Sequence, residues 1–262
     1  MIYIDCKKYA TEILNKVKAV PNKKRLAIIS VGYNAASESY IKGKINDCEY
    51  CGIPYEHIEI DDNETAGDVL AYVINECNAN EEIGGIILQL PLPDGMDSNY
   101  YTNMIRLDKD VDGFRHGSPF KPCTPEAIMY LLEQELGDLT SKRALVIGRG
   151  KLVGEPIAKM LLDANCTVTI AHSKTDDLHW ELQNADIIVS AVGKPNTVNL
   201  GWCWNASIVV DVGVNRDANR KLVGDCYNFG ELHYCNLKVT PVPKGVGLLT
   251  RAMLMKHMVR SD

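Results

Sequence analysis

The sequence lacks an excess of positive charge, an apolar run of membrane-spanning length, an internal repeat and a low-complexity tract. Lysine and arginine number 28 against 34 aspartates and glutamates, a formal net charge of -6. No broad basic face is left to displace counterions from a phosphate backbone, so a nucleic-acid partner is not expected. No stretch approaches the roughly 18 uninterrupted apolar residues of a membrane helix. The opening stretch, MIYIDCKKYATEIL, is charged by its fifth residue and does not resemble a secretory signal. A cytoplasmic protein that does not engage a membrane is the expectation. Cysteines number nine, an odd count, and only Cys48 and Cys51 are close together. No second ligand pair follows at zinc spacing. Chemically this pair reads as a redox or metal site; structurally it reads as two small apolar residues on a helix. Packing, with no metal, is the expectation, and reduced thiols suit the cytoplasm.

What is present is ordinary globular composition, 46% hydrophobic and 24% charged over 262 residues, enough for one large or two medium domains. Short β-branched runs alternate with amphipathic stretches, which predicts an α/β fold with parallel strands. Strands are predicted at 25–31, 55–60, 85–89, 144–147, 167–171, 187–191, 208–212 and 238–240. Helices are predicted at 37–51, 66–78, 125–135, 153–164 and 247–259. The domain boundary falls at Pro122-Cys123-Thr124-Pro125, where Thr124 can cap a helix with Pro125 at its first position. This gives an N-terminal α/β domain over 1–122, completed by a C-terminal helix over 246–262, and a nucleotide-binding domain over 123–245.

The run Ala144-Leu-Val-Ile-Gly148-Arg-Gly150-Lys-Leu-Val-Gly154 reads as a buried strand, a glycine turn and a helix start. Glycines let the backbone turn sharply and approach a pyrophosphate, which then faces the helix N-terminus. The spacing is one residue longer than the usual dinucleotide fingerprint, and a plain strand-to-helix turn is the alternative. The strand-like runs that follow favour a Rossmann-like parallel sheet. An NAD site usually carries an acid about 20 residues after the glycines. Here the second strand ends in His172-Ser173-Lys174-Thr175, and no acid appears until Asp176. Arg149 and Lys174 suit a ribose 2′-phosphate, so NADP is favoured and NAD remains open; alternatively both cations are simply solvated.

In Ser37-Glu-Ser-Tyr40-Ile-Lys-Gly-Lys44-Ile-Asn-Asp-Cys48 an apolar stripe runs through Tyr40, Ile41, Ile45 and Cys48. Lys44 follows Tyr40 by one turn and shares its face. A lysine losing its hydration beside such a stripe is suited to proton transfer, although a lysine there can also snorkel to water. Gly84-Gly-Ile-Ile-Leu-Gln89 places an amide at the C-terminal end of an apolar strand, where open α/β sheets hold ligands. Asp110 and Asp112 lie on a glycine-containing turn, either to grip a nitrogen-rich ring or merely to form the turn.

Together these segments resemble the bifunctional methylenetetrahydrofolate dehydrogenase/methenyltetrahydrofolate cyclohydrolase family. The matches are Ala36-Ser37, Tyr40, Lys44, Leu88-Gln89-Leu90-Pro91-Leu92-Pro93, Asp110-Val-Asp112-Gly-Phe114 and Pro122-Cys-Thr-Pro125. They continue through Gly148-Arg149, Val153-Gly154, Pro156, His172-Ser173, Thr175, Asp211-Val-Gly-Val214-Asn215 and Thr240-Pro-Val-Pro243 with Gly245 and Gly247. The resemblance implies that Lys44 is the catalytic lysine, that Tyr40 stacks on the folate, that Gln89 holds and tunes Lys44 and that Asp112 binds the pterin ring. Leu88, Leu90, Pro243, Gly245 and Gly247 would complete the folate site; Gly148, Arg149, Gly150, Gly154, Ser173 and Val214 would contact NADP. It further implies a cytoplasmic homodimer in one-carbon metabolism, including supply to purine biosynthesis. The expected activity is NADP-dependent oxidation of 5,10-methylenetetrahydrofolate to the methenyl form and hydrolysis of that to 10-formyltetrahydrofolate.

The chain departs from the family pattern at several points. Gly150 stands for a serine, Lys244 for a glycine, Ala127 for a glycine and Leu248-Leu249 for Pro-Met, and the link from Phe114 to Pro122 is short. A dehydrogenase lacking the hydrolytic step and a non-catalytic NADP-binding regulator are the alternatives these departures leave. A short-chain dehydrogenase also carries a Tyr-x-x-x-Lys pair like Tyr40 and Lys44, but there the pair follows the glycine turn. Here it precedes Gly148 by about a hundred residues, which argues against that family.

Overall fold

The computed structural model describes residues 1–230 and 236–259. The chain divides into two compact units: Thr11–Cys123 with the chain from Arg251 onward, and Met1–Ala10 with Thr124–Thr250.

In the first unit, the strand Arg25–Val31 pairs in parallel with Tyr55–Ile60 on one side and Ile83–Leu88 on the other. Leu26 to Val31 are all buried, as a parallel strand covered on both faces requires. The helix Ala66–Ala79 lays Ala66, Leu70, Ile74 and Cys77 against Ala27, Ile29 and Val31. That spacing is one face of a 3.6-residue period; burying Leu70 and Ile74 stabilises the unit by about 1.5–3 kcal/mol each. Lys109 finishes this helix, its Nζ donating to the carbonyls of Cys77, Asn78 and Asn80 at 3.0, 2.9 and 2.7 Å. A cation there meets the negative end of the helix dipole, and the contact anchors the chain entering Asp110–Asp112.

The second unit holds a six-stranded sheet in the order Ile2–Tyr3, Lys238–Val239, Ile208–Asp211, Ile187–Ser190, Arg143–Ile147, Thr167–Ala171. Every pairing in it is parallel. From Arg143–Ile147 the chain crosses through the helix Gly154–Asp163 to Thr167–Ala171, then returns through Leu178–Gln183 to Ile187–Ser190 on the other side. The direction of winding therefore reverses beside Arg143–Ile147, which is where such sheets open a crevice at their strand C-termini. Leu145, Ile147, Ile188, Val209 and Val239 form its core with Val198 and Leu200.

Several particulars differ from the sequence reading. Ile2–Tyr3 is an edge strand of the six-stranded sheet, and Met1–Ala10 groups with the second unit. The helices Cys6–Lys18, Ser98–Met104 and Leu178–Gln183 were not anticipated. The helix predicted to start at Pro125 spans Cys123–Leu136, so Thr124 lies inside it and not at its cap; its hydroxyl meets that of Thr250 at 3.1 Å. The final helix is Val246–His257, and residues 260–262 of the predicted 246–262 segment lie outside the described residues. Cys48 and Cys51 are both buried, with Sγ atoms directed to Met255 Sδ and the Leu14 carbonyl. Burial pushes the two thiols up to about 12 and about 11, which leaves them protonated packing groups, not redox thiolates. Among the described residues, no helix is long and apolar enough to cross a membrane.

Lys244 adopts φ 74°, the left-handed conformation that explains why glycine is the expected residue there. Lys244→Gly should therefore raise the unfolding free energy by about 1 kcal/mol, read as a higher urea midpoint; an unchanged or lower midpoint contradicts this.

Candidate active site

The helix Ala35–Cys51 buries Ile41, Lys44, Asp47, Cys48 and Cys51. Lys44 is thus part of the buried stripe itself, while Tyr40 and Ile45 are half-buried. Lys44 is 4% exposed, and its Nζ donates to Gln89 Oε1 at 3.2 Å. The same Nζ lies 5.2 Å from the centroid of the Tyr40 ring. Gln89 follows directly after the strand Ile83–Leu88, which ends one residue short of the predicted 85–89. Its backbone N–H donates to Ile29 O at 2.8 Å and its Nε2 to Leu90 O at 2.8 Å. With its amide nitrogen committed to Leu90, the Gln89 side chain presents oxygen to the lysine. A buried amine is thereby given an acceptor without a counter-charge that would lock it as an ion pair.

The two candidate acids separate by role. Asp110 is buried and receives the backbone N–H groups of Arg115 at 2.9 Å and Phe114 at 3.3 Å. Burial pushes its carboxyl above the ordinary aspartate value, against the pull of those hydrogen bonds. It is the turn-former. Asp112, two residues on, is half-buried and its carboxylate makes no hydrogen bond with any described residue, so it is free to accept from a ligand. Its backbone is held from both sides, because the Val111 carbonyl meets His257 Nδ1 at 2.7 Å and the Asp112 carbonyl accepts from Cys123 N at 3.2 Å. Neither His257 nor Lys109 was legible as a support of this turn, since each acts through backbone carbonyls distant in sequence.

In the second unit, Gly148 has φ 106° and donates its N–H to Ala171 O at 2.8 Å. A Cβ at Gly148 would press on the Ala191 carbonyl, and one at Gly154 would meet the Gly148 carbonyl. The turn is closed enough to demand both glycines. Gly150 is different: a Cβ there meets nothing within 4 Å, so the serine expected at that position would fit. The helix Gly154–Asp163 starts without a side-chain cap; Glu155 N donates to Gly150 O at 3.1 Å and Pro156 carries no N–H, so of its first three residues Gly154 is the one that could offer an N–H to an anion. Arg149, Gly150, Ser173 and Lys174 are exposed, as is Val214 at 70%. Strand register puts Ile147, Ala171, Ser190 and Asp211 level with one another. Gly148, Ser173 and Val214 therefore emerge from the same edge of the sheet.

The sequence reading missed the residue that organises this edge. Asp225 is fully buried and accepts from Ser190 Oγ at 2.9 Å, from the backbone N–H groups of Val192, Gly193 and Lys194 at 3.1, 3.3 and 2.9 Å, and from Asn215 Nδ2 at 3.0 Å. Asp211 receives Gly213 N at 3.0 Å and Asp225 N and Cys226 N at 2.9 Å each; burial raises its carboxyl pKa above the usual value. The two carboxylates tie the loops after Ile187–Ser190 and Ile208–Asp211 to the chain at 225. Pro243, Gly245 and Gly247, expected on the substrate side, belong to this unit and not to that of Lys44. Pro243 and Gly247 are exposed and Gly245 is buried, where a Cβ would meet the Pro241 carbonyl.

Comparison with known proteins agrees with both units. Residues 4–112 match the family model of the tetrahydrofolate dehydrogenase/cyclohydrolase catalytic domain, and residues 122–262 that of its NAD(P)-binding domain. A Campylobacter hominis protein, bifunctional protein FolD, is 42% identical over 245 residues, covering 90% of this chain and 86% of its own length. The crystal structure of the bifunctional FolD methylenetetrahydrofolate dehydrogenase/cyclohydrolase from Campylobacter jejuni is 38% identical with a TM-score of 0.92, over 99% of this chain and 97% of that one. The Trypanosoma brucei enzyme, complexed with NADP and an inhibitor, is 29% identical with a TM-score of 0.89, over 98% and 96% of the two chains.

Asp225→Ala strips an acceptor from the buried Ser190 hydroxyl and from three part-buried N–H groups; a buried polar group left unmet costs about 1–3 kcal/mol. Dinucleotide affinity, measured by isothermal titration calorimetry, should fall by about tenfold or more. Wild-type affinity in that variant would show that these loops hold their shape without it.

Proposed function

Because the chain belongs to the tetrahydrofolate dehydrogenase/cyclohydrolase family, we propose that the buried Lys44–Gln89 pair is its hydrolytic centre and the turn at Gly148 its NADP cradle. The enzyme oxidises 5,10-methylenetetrahydrofolate to 5,10-methenyltetrahydrofolate with NADP and hydrolyses that product to 10-formyltetrahydrofolate. The observation that carries the assignment of the centre is the Lys44 amine, 4% exposed and donating to Gln89 Oε1 at 3.2 Å.

On this reading Tyr40 offers its ring to a flat face of the folate, beside the lysine it already touches. The uncommitted carboxylate of Asp112 accepts N–H groups of the pterin ring, fixing its orientation. Leu88 and Leu90, flanking Gln89, shape the apolar wall beside the lysine.

The nucleotide edge fits NADP on the grounds already given: a glycine turn with no room for Cβ at Gly148, a helix start with no side chain over it at Gly154, and exposed Arg149, Ser173 and Lys174 nearby in the sheet register. Gly148, Gly150 and Gly154 would admit the pyrophosphate, while Arg149 with Ser173 and Lys174 would take the 2′-phosphate. Val214 would line the nicotinamide. Bound NADP supplies a hydride acceptor for the methylene carbon. The protein's part in that step is positioning, since the folate nitrogens already push electrons toward the carbon.

Hydrolysis asks more of the side chains. Water adds to the methenyl carbon and gives up both its protons as the formyl C=O forms: one goes to the ring nitrogen that departs, and the other leaves to solvent with the positive charge of the methenyl cation. The Lys44 amine, in its uncharged form, takes the first of these protons from water and returns it to that nitrogen, and Gln89 keeps the amine aimed between the two. A cytoplasmic homodimer feeding one-carbon units to purine biosynthesis is the setting we infer. It is supported by the family membership, the protonated buried thiols and the open edge strand Thr167–Ala171 with its exposed Ile170.

Lys44→Met should lower the cyclohydrolase rate by about a hundredfold or more while NADP affinity holds. Followed by absorbance during oxidation of methylenetetrahydrofolate, the variant should accumulate the methenyl product. Hydrolysis at the wild-type rate would remove the role given to Lys44.

A further inference from the structure

Asp47 lies one turn after Lys44 on the same helix, a spacing at which a carboxylate and an ammonium can pair. It does not do so. Its Oδ2 accepts instead from Arg251 Nε at 2.7 Å, in an ion pair whose side chains are only 19% and 12% exposed on the Arg251 and Asp47 sides. Residue 43 makes the room: a Cβ on Gly43 would run into the Arg251 guanidinium. The arginine therefore crosses the helix at the residue next to Lys44 and closes on the carboxylate one turn beyond. Burial raises the Asp47 carboxyl above its ordinary value, and Arg251 pulls it back. Removing Arg251 would leave that carboxylate poorly solvated and in search of a cation. The nearest candidate on its own helix is Lys44.

We propose that Arg251 is a positioning residue for the hydrolytic step: by holding the Asp47 carboxylate it keeps that group off the Lys44 amine, which is left to Gln89. The inference rests on the reading of Lys44 as the proton carrier. It makes the two ends of one ion pair unequal. Losing Asp47 removes a competitor, whereas losing Arg251 releases one. A pair that merely braced two helices would show its loss in melting temperature and not in hydrolytic kcat, whichever end was cut.

The test compares Arg251→Met, Asp47→Asn and the double variant with the wild type and with Lys44→Met. Each purified enzyme is assayed for kcat and KM in methenyltetrahydrofolate hydrolysis, for KM toward NADP in the oxidation, and for melting temperature. Arg251→Met should lose about tenfold or more in hydrolytic kcat with the KM for NADP unchanged. Asp47→Asn should stay within about twofold of wild type, and the double variant should recover to within about threefold. Equal losses from the two single changes, or a double variant no better than Arg251→Met, would overturn the proposal whatever the melting temperatures. Should Arg251→Met fail to fold, Arg251→Gln replaces it, and a large hydrolytic loss in Asp47→Asn alone is equally fatal. Lys44→Met separates the two levels: full hydrolysis there dismisses the lysine itself, whereas its loss beside an unimpaired Arg251→Met dismisses only the arginine.

Discussion

A lysine amine with almost no contact with water, offered a single amide oxygen, is the constraint around which the first unit is arranged. Removing an ammonium from water costs several kcal/mol unless partners are supplied, and a carboxylate partner would hold the proton in place. Gln89 answers the hydrogen-bonding demand with a neutral acceptor. Its orientation is fixed by Leu90 O on the side chain and by Ile29 O on the backbone. The orientation of the amine thus depends on the end of one strand, the pairing of that strand with its neighbour, and the register of one helix.

The second unit solves a similar problem with opposite chemistry. There a fully buried carboxylate, Asp225, collects backbone N–H groups from the loop after Ile187–Ser190, while Asp211 does the same for the chain at 225 and 226. A buried acceptor surrounded by donors sets loop shape more firmly than apolar packing does, because each unmet N–H carries its own cost. In both units the organising polar group lies where a parallel strand ends, the place where the strand's own ladder stops satisfying the backbone.

Much of this was legible in the sequence, for definite reasons. The strands at 25–31, 55–60 and 167–171 coincide with the observed ones: the first is a buried, β-branched parallel strand, and the other two, though largely uncovered, are short runs with β-branched residues set between helical periods. Lys44 and Gln89 could be singled out because each is a polar residue in an apolar setting. What stayed hidden depends on partners distant along the chain. Ile2–Tyr3 is too short to show periodicity and becomes a strand only by pairing with Lys238–Val239. Asp225 looks like any loop aspartate until Ser190 and Asn215 are placed around it. Asp47 reads as a solvated helix acid until Arg251 arrives from the last helix. The left-handed Lys244 follows the same rule, since only the folded loop reveals why a glycine would suit it.

The account is tested most directly by a crystal structure of the enzyme with a tetrahydrofolate analogue bound. It predicts the pterin ring hydrogen-bonded to the Asp112 carboxylate and stacked on Tyr40, with Lys44 Nζ still on Gln89 and turned toward the nitrogens that carry the one-carbon unit. An analogue seated away from Asp112, or a Lys44 amine swung out into solvent when the ligand binds, would contradict it.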